Sequence, residues 1–164
     1  MTEGAADRGV MARLLRAGLL TAVVDGLFSS ILTVAAYGST VSRLFQGVAS
    51  VLLGADAFNG GLRTTVIGVL MHVLVAFTWS AVYLFLVSRW ARIRGLLVSP
   101  YGVLKVAALY GPFIWMVMSL VVVPVFAHRP PTITVRWWIQ WFGHIFFVGI
   151  PIVAATGKAS PTGR

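Results

Sequence analysis

The chain has 164 residues, of which 59% are hydrophobic and only 10% are charged. A soluble domain carries roughly 25% charged residues, so this composition favours a membrane protein. Cysteine is absent, which excludes disulfides, thiolate metal sites and cysteine nucleophiles. The formal net charge is +9. With this hydropathy, the basic residues favour anionic lipid headgroups as partners and not nucleic acid.

Four long apolar runs divide the chain, and each contains 19 to 24 residues. An α-helix needs about 20 residues to cross a hydrocarbon core roughly 30 Å thick. In lipid the backbone must bond within each segment, so helices are expected and strands are not. The prediction is an all-α, four-helix transmembrane bundle: a single domain over 17–155 with tails 1–16 and 156–164. The runs are Ala17–Tyr37, Thr65–Val87, Val103–Phe126 and Trp137–Ala155.

Basic residues are distributed unevenly between the two ends of the predicted bundle. Nine fall in the two tails and around the connection between the second and third runs, whereas four fall in the other two connections. Cytoplasmic loops of membrane proteins carry the excess of Lys and Arg, so both termini are predicted to be cytoplasmic. A cleaved signal peptide is the alternative for the first run. Its apolar core would have about 7–15 residues, fewer than the 21 found here.

The connection between the first two runs contains a periodic segment over residues 41–53. Its apolar residues recur at helical spacing, and the polar residues Arg43, Gln46 and Ser50 fall on another face. Thirteen residues are too few to span a bilayer. The prediction is an interfacial helix between helices one and two, with a re-entrant segment as the alternative.

Small residues recur every four positions on the first two predicted helices. Without a hydrophobic drive between helices in lipid, small side chains allow the backbones to approach closely. These lines are therefore predicted to be helix-packing positions, with His72 occupying the vacant place in the second line. The residues are Gly18, Ala22, Gly26 and Ser30 on the first helix, and Gly68, Ala76 and Ser80 on the second.

Asp25 is the only carboxylate within the four runs. A helix rise of 1.5 Å per residue places it about 12 Å from the nearer boundary of its run. An aspartate at the centre of a membrane helix costs roughly 2.5–3.5 kcal/mol on insertion scales. The structural interpretation is a neutral acid that donates to a carbonyl freed by Pro112 or Pro151. The functional interpretation is a proton or ion relay.

His72 and His144 lie at matching depths, each seven residues from the end of its run that is opposite the termini. Equal depth on two helices predicts that the two imidazoles are close to each other. A pair of neutral, hydrogen-bonded histidines is one interpretation. A proton or polar-ligand site and a two-ligand haem or metal site are the others, and no metal or cofactor is assigned.

The chain carries no nucleophile elbow, phosphate-binding glycine loop or paired carboxylate set, so an enzyme is not predicted. Three functional hypotheses remain. The first is a non-enzymatic component that acts through helix packing or assembly, as a homo-oligomer or with another membrane protein. The second is a small transporter or channel component with Asp25, His72 and His144 along a polar path. The third is a membrane redox carrier with histidine ligands.

Several segments together resemble a set of small bacterial inner-membrane proteins that includes the YagU-like group. They are AGLLTAVVDG in the first run, GVLMHVLVAFTWSAVY in the second, YGPFIWMVMSLVVVP in the third, and Trp138 with Phe142-Gly143-His144 in the fourth. The connection between the first two runs is shorter than in YagU-like proteins, so a broader relative is the alternative. The resemblance implies a bacterial inner membrane and a helical bundle, and it implies no activity, catalytic residue or cofactor.

Overall fold

The computed structural model describes residues 3–156, with side chains from Arg8 onward. Every regular element in this range is helical, and four helices are long and apolar enough to cross a membrane. The predicted helical bundle is therefore confirmed at this level, and these helices are what a membrane-embedded protein requires. The first to fourth long helices are Arg8–Ala36, Gly61–Arg89, Gly102–Ala127 and Val135–Thr156.

Two short helices join the long ones. The connecting helix, Val41–Leu53, follows the first long helix, and the turn helix, Ala91–Val98, follows the second. A loop over 128–134 joins the third and fourth long helices. The α-helical segments are Glu3–Ile31, Val41–Leu53, Gly61–Arg89, Ala91–Val98, Gly102–Val117, Val123–Ala127, Val135–His144 and Ile150–Thr156. The π-helical segments are Leu32–Ala36, Met118–Val122 and Ile145–Gly149, and Ala55–Asn59 is a 3-10 turn.

The π-helical segments of the third and fourth long helices each lie next to a proline. In the fourth, the amide of Ile150 donates to the carbonyl of Ile145, five residues earlier, and Pro151 follows. The third repeats this pattern immediately before Pro124. Proline has no amide proton to donate to the carbonyl four residues earlier. Each π-helical segment therefore lies next to a position where one backbone hydrogen bond of the helix is missing.

The four long helices form a ring. The first packs against the second and the fourth, and the fourth packs against the third. Side chains close the ring between the third and second helices, since the Tyr110 hydroxyl donates to the Trp79 carbonyl at 2.7 Å. The Trp79 ring also meets the Phe113 ring edge-on, with centroids 6.1 Å apart. Each long helix therefore contacts two others around a shared interior.

The two ends of the ring differ in what covers them. The connecting helix packs on the second long helix and on Val123–Ala127 of the third, and the 128–134 loop lies at the same end, called here the connecting-helix end. The turn helix packs at the opposite end, against the second and third long helices. A core cluster in that half includes Tyr83, Tyr110 and Ile152.

The connecting helix is helical as predicted, but its buried face is not the apolar one. The residues buried against the bundle are Gln46, Ala49 and Ser50, and the Gln46 amide donates to the Gly61 carbonyl at 3.2 Å. Leu52 is 60% exposed. The polar and small face is thus turned toward protein, and large apolar side chains are left outside.

The exterior of the bundle is apolar. Along the first long helix, Leu19, Val23, Leu27 and Ile31 follow a spacing of four, and each is more than half exposed. A soluble bundle would bury such a stripe, because apolar surface in water is unfavourable. Lipid contact accounts for this arrangement.

Candidate functional site

Asp25 and His72 meet in the interior of the ring, between the first and second long helices. The Asp25 Oδ2 atom is 3.9 Å from the His72 Nδ1 atom, and the two side chains are only 14% and 18% exposed. This separation is within ion-pair range but too long for a hydrogen bond. Among the described residues, it is the only contact of this kind between a basic and an acidic side chain.

The hydrogen bond made by the other ring nitrogen of His72 identifies the tautomer of the imidazole. Its Nε2 atom is 3.0 Å from the carbonyl oxygen of Ala22. A carbonyl only accepts, so Nε2 carries a proton and donates. A neutral His72 then presents the unprotonated Nδ1 atom to Asp25. The carboxyl therefore faces the one nitrogen of the imidazole that can accept a proton.

Helix packing creates the space for this pair. A Cβ atom added at Gly26 would make an ordinary contact with His72 Nε2, at 3.4 Å, so the imidazole lies close to the backbone of the first helix at this residue. On the other side, the Phe45 ring of the connecting helix meets the His72 ring edge-on at 5.9 Å. His72 is therefore held between a glycine and an aromatic ring.

His144 enters the same interior from the fourth long helix and is 8% exposed. Its Nδ1 atom lies 2.7 Å from the Gln140 carbonyl and must donate to it, which leaves Nε2 as the acceptor in the neutral form. The Trp115 ring of the third helix lies against the imidazole at 4.8 Å. A Cβ atom at Gly111 would overlap the His144 carbonyl, so the third and fourth helices are in close backbone contact here.

The three ionisable residues of the interior come from three neighbouring helices. His72 lies 3.9 Å from Asp25, and His144 follows Gly143, which lies against the Phe28 ring, about one helical turn after Asp25. Next to them, the Phe28 and Phe147 rings stack at 4.1 Å and join the first helix to the fourth. With Trp115, all four long helices contribute to the cluster.

Two polar atoms of this region have no partner. The Asp25 Oδ1 and Thr21 Oγ1 atoms are buried and make no hydrogen bond within the described residues. Thr21 is 2% exposed and precedes Asp25 by four residues, so the two share a helix face. Buried polar groups are usually paired, so these two atoms are exceptions that lie on one face of the first long helix.

Sequence reasoning singled out Asp25, His72 and His144 but missed Thr21, Gln140 and Trp115. Thr21 and Gln140 could have been found from the sequence, because residues four apart share a helix face. Thr21 precedes Asp25 by four residues, and Gln140 precedes His144 by four. Trp115 had no such signal, since it lies on another helix. Asp25 was expected to approach helices three and four, whereas its nearest polar partner is His72 on the second.

The small residues predicted to pack helices together contact different parts of the structure. Gly18 faces the Phe77 ring, and Gly68 faces the Phe45 backbone of the connecting helix. A Cβ atom at Gly68 would overlap the Phe45 carbonyl, so the connecting helix depends on this glycine. Ala22, Ala76 and Ser80 are buried, whereas Gly26 and Ser30 are half-buried.

A metal site has little support from these residues. Among the described residues, no group of three or more His, Cys, Asp and Glu side chains is arranged to hold a metal ion. The site therefore consists of one carboxyl and two imidazoles, each with its own surroundings.

Comparison with known proteins brings no relative to which this site can be matched. No protein-family model, curated protein or solved structure matches the chain. The chemistry of the site is therefore the guide to its function.

Proposed function

We propose that this chain is a small, non-enzymatic membrane transporter or a component of one, with Asp25 and His72 as its proton-binding pair. The observation that carries the proposal is the Asp25 carboxyl facing His72 Nδ1 at 3.9 Å inside the helix ring. Ionisable residues within membrane helices are costly, and they commonly mark proton or ion pathways.

The chemistry of the pair fits proton binding. With one shared proton, the pair is either a neutral acid beside a neutral imidazole or a carboxylate beside an imidazolium. Both forms have zero net charge, so the proton can shift between the residues without leaving a net charge in the apolar interior. Binding of a second proton makes the pair cationic, which gives the site two states of different charge.

A row of polar groups leads from the pair toward the connecting-helix end. His144 donates to the Gln140 carbonyl. Gln140 lines a cavity at that end, and its Oε1 atom is buried without a hydrogen-bond partner among the described residues. Of these groups, the His144 imidazole can take up and release a proton, and Gln140 places an amide between this imidazole and the cavity.

The assembly hypothesis ranks second because the small residues are already in contact within one chain. Gly18 faces Phe77, and Gly149 faces the Ala107 backbone. The outward positions of the first helix are large and aliphatic instead. A redox carrier ranks third, because among the described residues no group of three or more His, Cys, Asp and Glu side chains is arranged to hold a metal ion.

The proposed location is a bacterial inner membrane with both termini in the cytoplasm. The excess of basic residues around the termini and the turn helix supports this orientation, and the resemblance to YagU-like proteins supports the choice of membrane. In this orientation the connecting helix lies on the outer side. Its outward-facing Leu52 and Leu53 support contact with the outer leaflet.

Proton flux into proteoliposomes tests the proposal. Purified protein is reconstituted with a pH-sensitive dye inside, and a potassium diffusion potential drives proton entry. Wild-type protein should acidify the interior faster than empty liposomes. Asp25→Asn should reduce the rate to that of empty liposomes, because the amide does not take up a proton near neutral pH.

The matched control is Asp56→Asn, which makes the same change at an exposed carboxylate outside the ring and should leave the flux unchanged. His72→Gln is the second variant and should also lower the rate. All proteins are first checked for the same elution volume and melting temperature. Wild-type flux equal to that of empty liposomes, or full flux in folded Asp25→Asn, would refute the proposal.

A further inference from the structure

A cavity of about 420 Å³ opens at the connecting-helix end of the bundle. It lies between the end of the first long helix, the third long helix, the 128–134 loop and the start of the fourth. This volume is within the roughly 300–1,000 Å³ of typical ligand pockets. The lining residues that matter here are Tyr37, Trp115, Met118, Arg129, Arg136 and Gln140.

The charge of the lining is entirely positive. Arg129 and Arg136 both line the cavity, and the lining contains no carboxylate. Within the described part of the chain, neither arginine forms an ion pair. The Arg136 guanidinium lies over the Tyr37 ring at 4.0 Å, so its charge is held beside the cavity. Two guanidinium groups without a counter-charge select an anion, and phosphate matches their geometry well.

The rest of the lining is apolar with a few unpaired polar atoms. Met118, Val123 and Pro124 supply one wall from the third long helix. The Tyr37 hydroxyl and the Trp115 Nε1 atom are buried without hydrogen-bond partners among the described residues. Both atoms are unpaired hydrogen-bond donors of residues that line the cavity. The cavity therefore suits a ligand that is anionic at one end and apolar at the other.

The surroundings of the cavity favour a ligand from the bilayer. Val121, Val125 and Phe126 of the third long helix are each more than half exposed, and they continue the apolar wall along the outside of the bundle. An acyl chain can follow this surface while its headgroup stays at the arginines. Free phosphate would leave the apolar wall without a partner.

We propose that this cavity binds the headgroup of an anionic phospholipid, with its phosphate between Arg129 and Arg136 and an acyl chain along the third long helix. The site does not depend on proton binding at Asp25, and its test measures lipid and not flux. Trp115 and Gln140 form part of the lining and also contact His144, so the bound lipid lies one layer of side chains from the proton-binding cluster.

Native mass spectrometry of the full chain in a non-ionic detergent tests this site. Phosphatidylglycerol and the zwitterionic phosphatidylcholine, matched in acyl chains, are titrated separately and the bound fraction is measured. The wild type should bind phosphatidylglycerol at least about tenfold more tightly, given two basic groups near an anionic headgroup. The double variant Arg129→Gln with Arg136→Gln should lose that preference.

The matched control is Arg43→Gln with Arg63→Gln. Arg43 also lies over an aromatic ring, Phe58, at 4.9 Å, but neither residue lines the cavity. The control should keep the preference. If the double variant fails to fold, Arg129→Gln alone changes only an exposed loop side chain and should lose part of the preference.

Three results would overturn the proposal. The first is equal binding of the two lipids by the wild type. The second is a folded cavity variant that keeps the full preference, or a control that loses it equally. The third is displacement of phosphatidylglycerol by inorganic phosphate at a similar concentration, which would indicate a site for a free anion.

Discussion

Alanine at Gly149 tests the packing of the third and fourth long helices. A Cβ atom there would lie 2.5 Å from the Ala107 carbonyl oxygen and 3.1 Å from the Ala107 Cα atom. Ordinary contact with a carbon atom begins near about 3.5 Å, so the oxygen is roughly 1 Å too close. The obstacle is backbone in the middle of another helix, and no side-chain rotation can remove it.

The magnitude follows from two opposing effects. Overpacking of a tight interior costs about 1–3 kcal/mol, whereas replacing a helical glycine with alanine returns about 0.5–1 kcal/mol. The expected net loss for Gly149→Ala is therefore about 1–2 kcal/mol of unfolding free energy. Gly26→Ala is the matched control, because its Cβ atom would meet only the His72 ring, at 3.4 Å. It should be neutral or slightly stabilising.

The assay is equilibrium unfolding in mixed micelles at increasing mole fractions of sodium dodecyl sulfate, followed by circular dichroism. The unfolding free energies of the two variants and the wild type are compared, provided that all three depend on the mole fraction of sodium dodecyl sulfate with the same slope. If Gly149→Ala is as stable as Gly26→Ala, the close approach of Gly149 to Ala107 is wrong.

Three further predictions address other contacts. Tyr110→Phe should lower the unfolding free energy by about 0.5–1.5 kcal/mol, because it removes the hydrogen bond to the Trp79 carbonyl. Tyr83→Phe should leave the unfolding free energy unchanged, since the Tyr83 hydroxyl is buried without a hydrogen-bond partner among the described residues; equal losses for the two variants in the same unfolding assay would contradict this difference. Asp25→Asn should keep the melting temperature in detergent, whereas Asp25→Leu should lower it by several degrees. Leucine would leave His72 Nδ1 facing an apolar group. Equal melting temperatures of the two variants would show that Asp25 does not contribute to the packing of the site. A reporter enzyme active only outside the cytoplasm should be inactive when fused after Arg164, and activity there would reverse the orientation expected from the basic residues.

Local features of the sequence were enough to identify the four long helices and the connecting helix, but the turn helix Ala91–Val98 was not predicted. Each apolar run lies within a long helix of the structure, apart from Tyr37 at the end of the first, because hydropathy and backbone hydrogen bonding in lipid act within each segment. Periodicity likewise predicted a helix over residues 41–53. Asp25, His72 and His144 could also be identified from the sequence, because the free-energy cost of an ionisable side chain in a membrane helix depends mainly on its depth in the bilayer.

Only the tertiary structure determined which faces meet. The connecting helix buries Gln46 and Ser50 and exposes Leu52, the reverse of what its apolar face would predict in water. In lipid, apolar side chains gain little by facing protein, so close backbone approach and polar contacts decide the orientation. The Asp25–His72 pair and the Ala22–His72 hydrogen bond depend on two helices packing at one register. That register comes from contacts between residues far apart in the chain, which composition and periodicity do not encode.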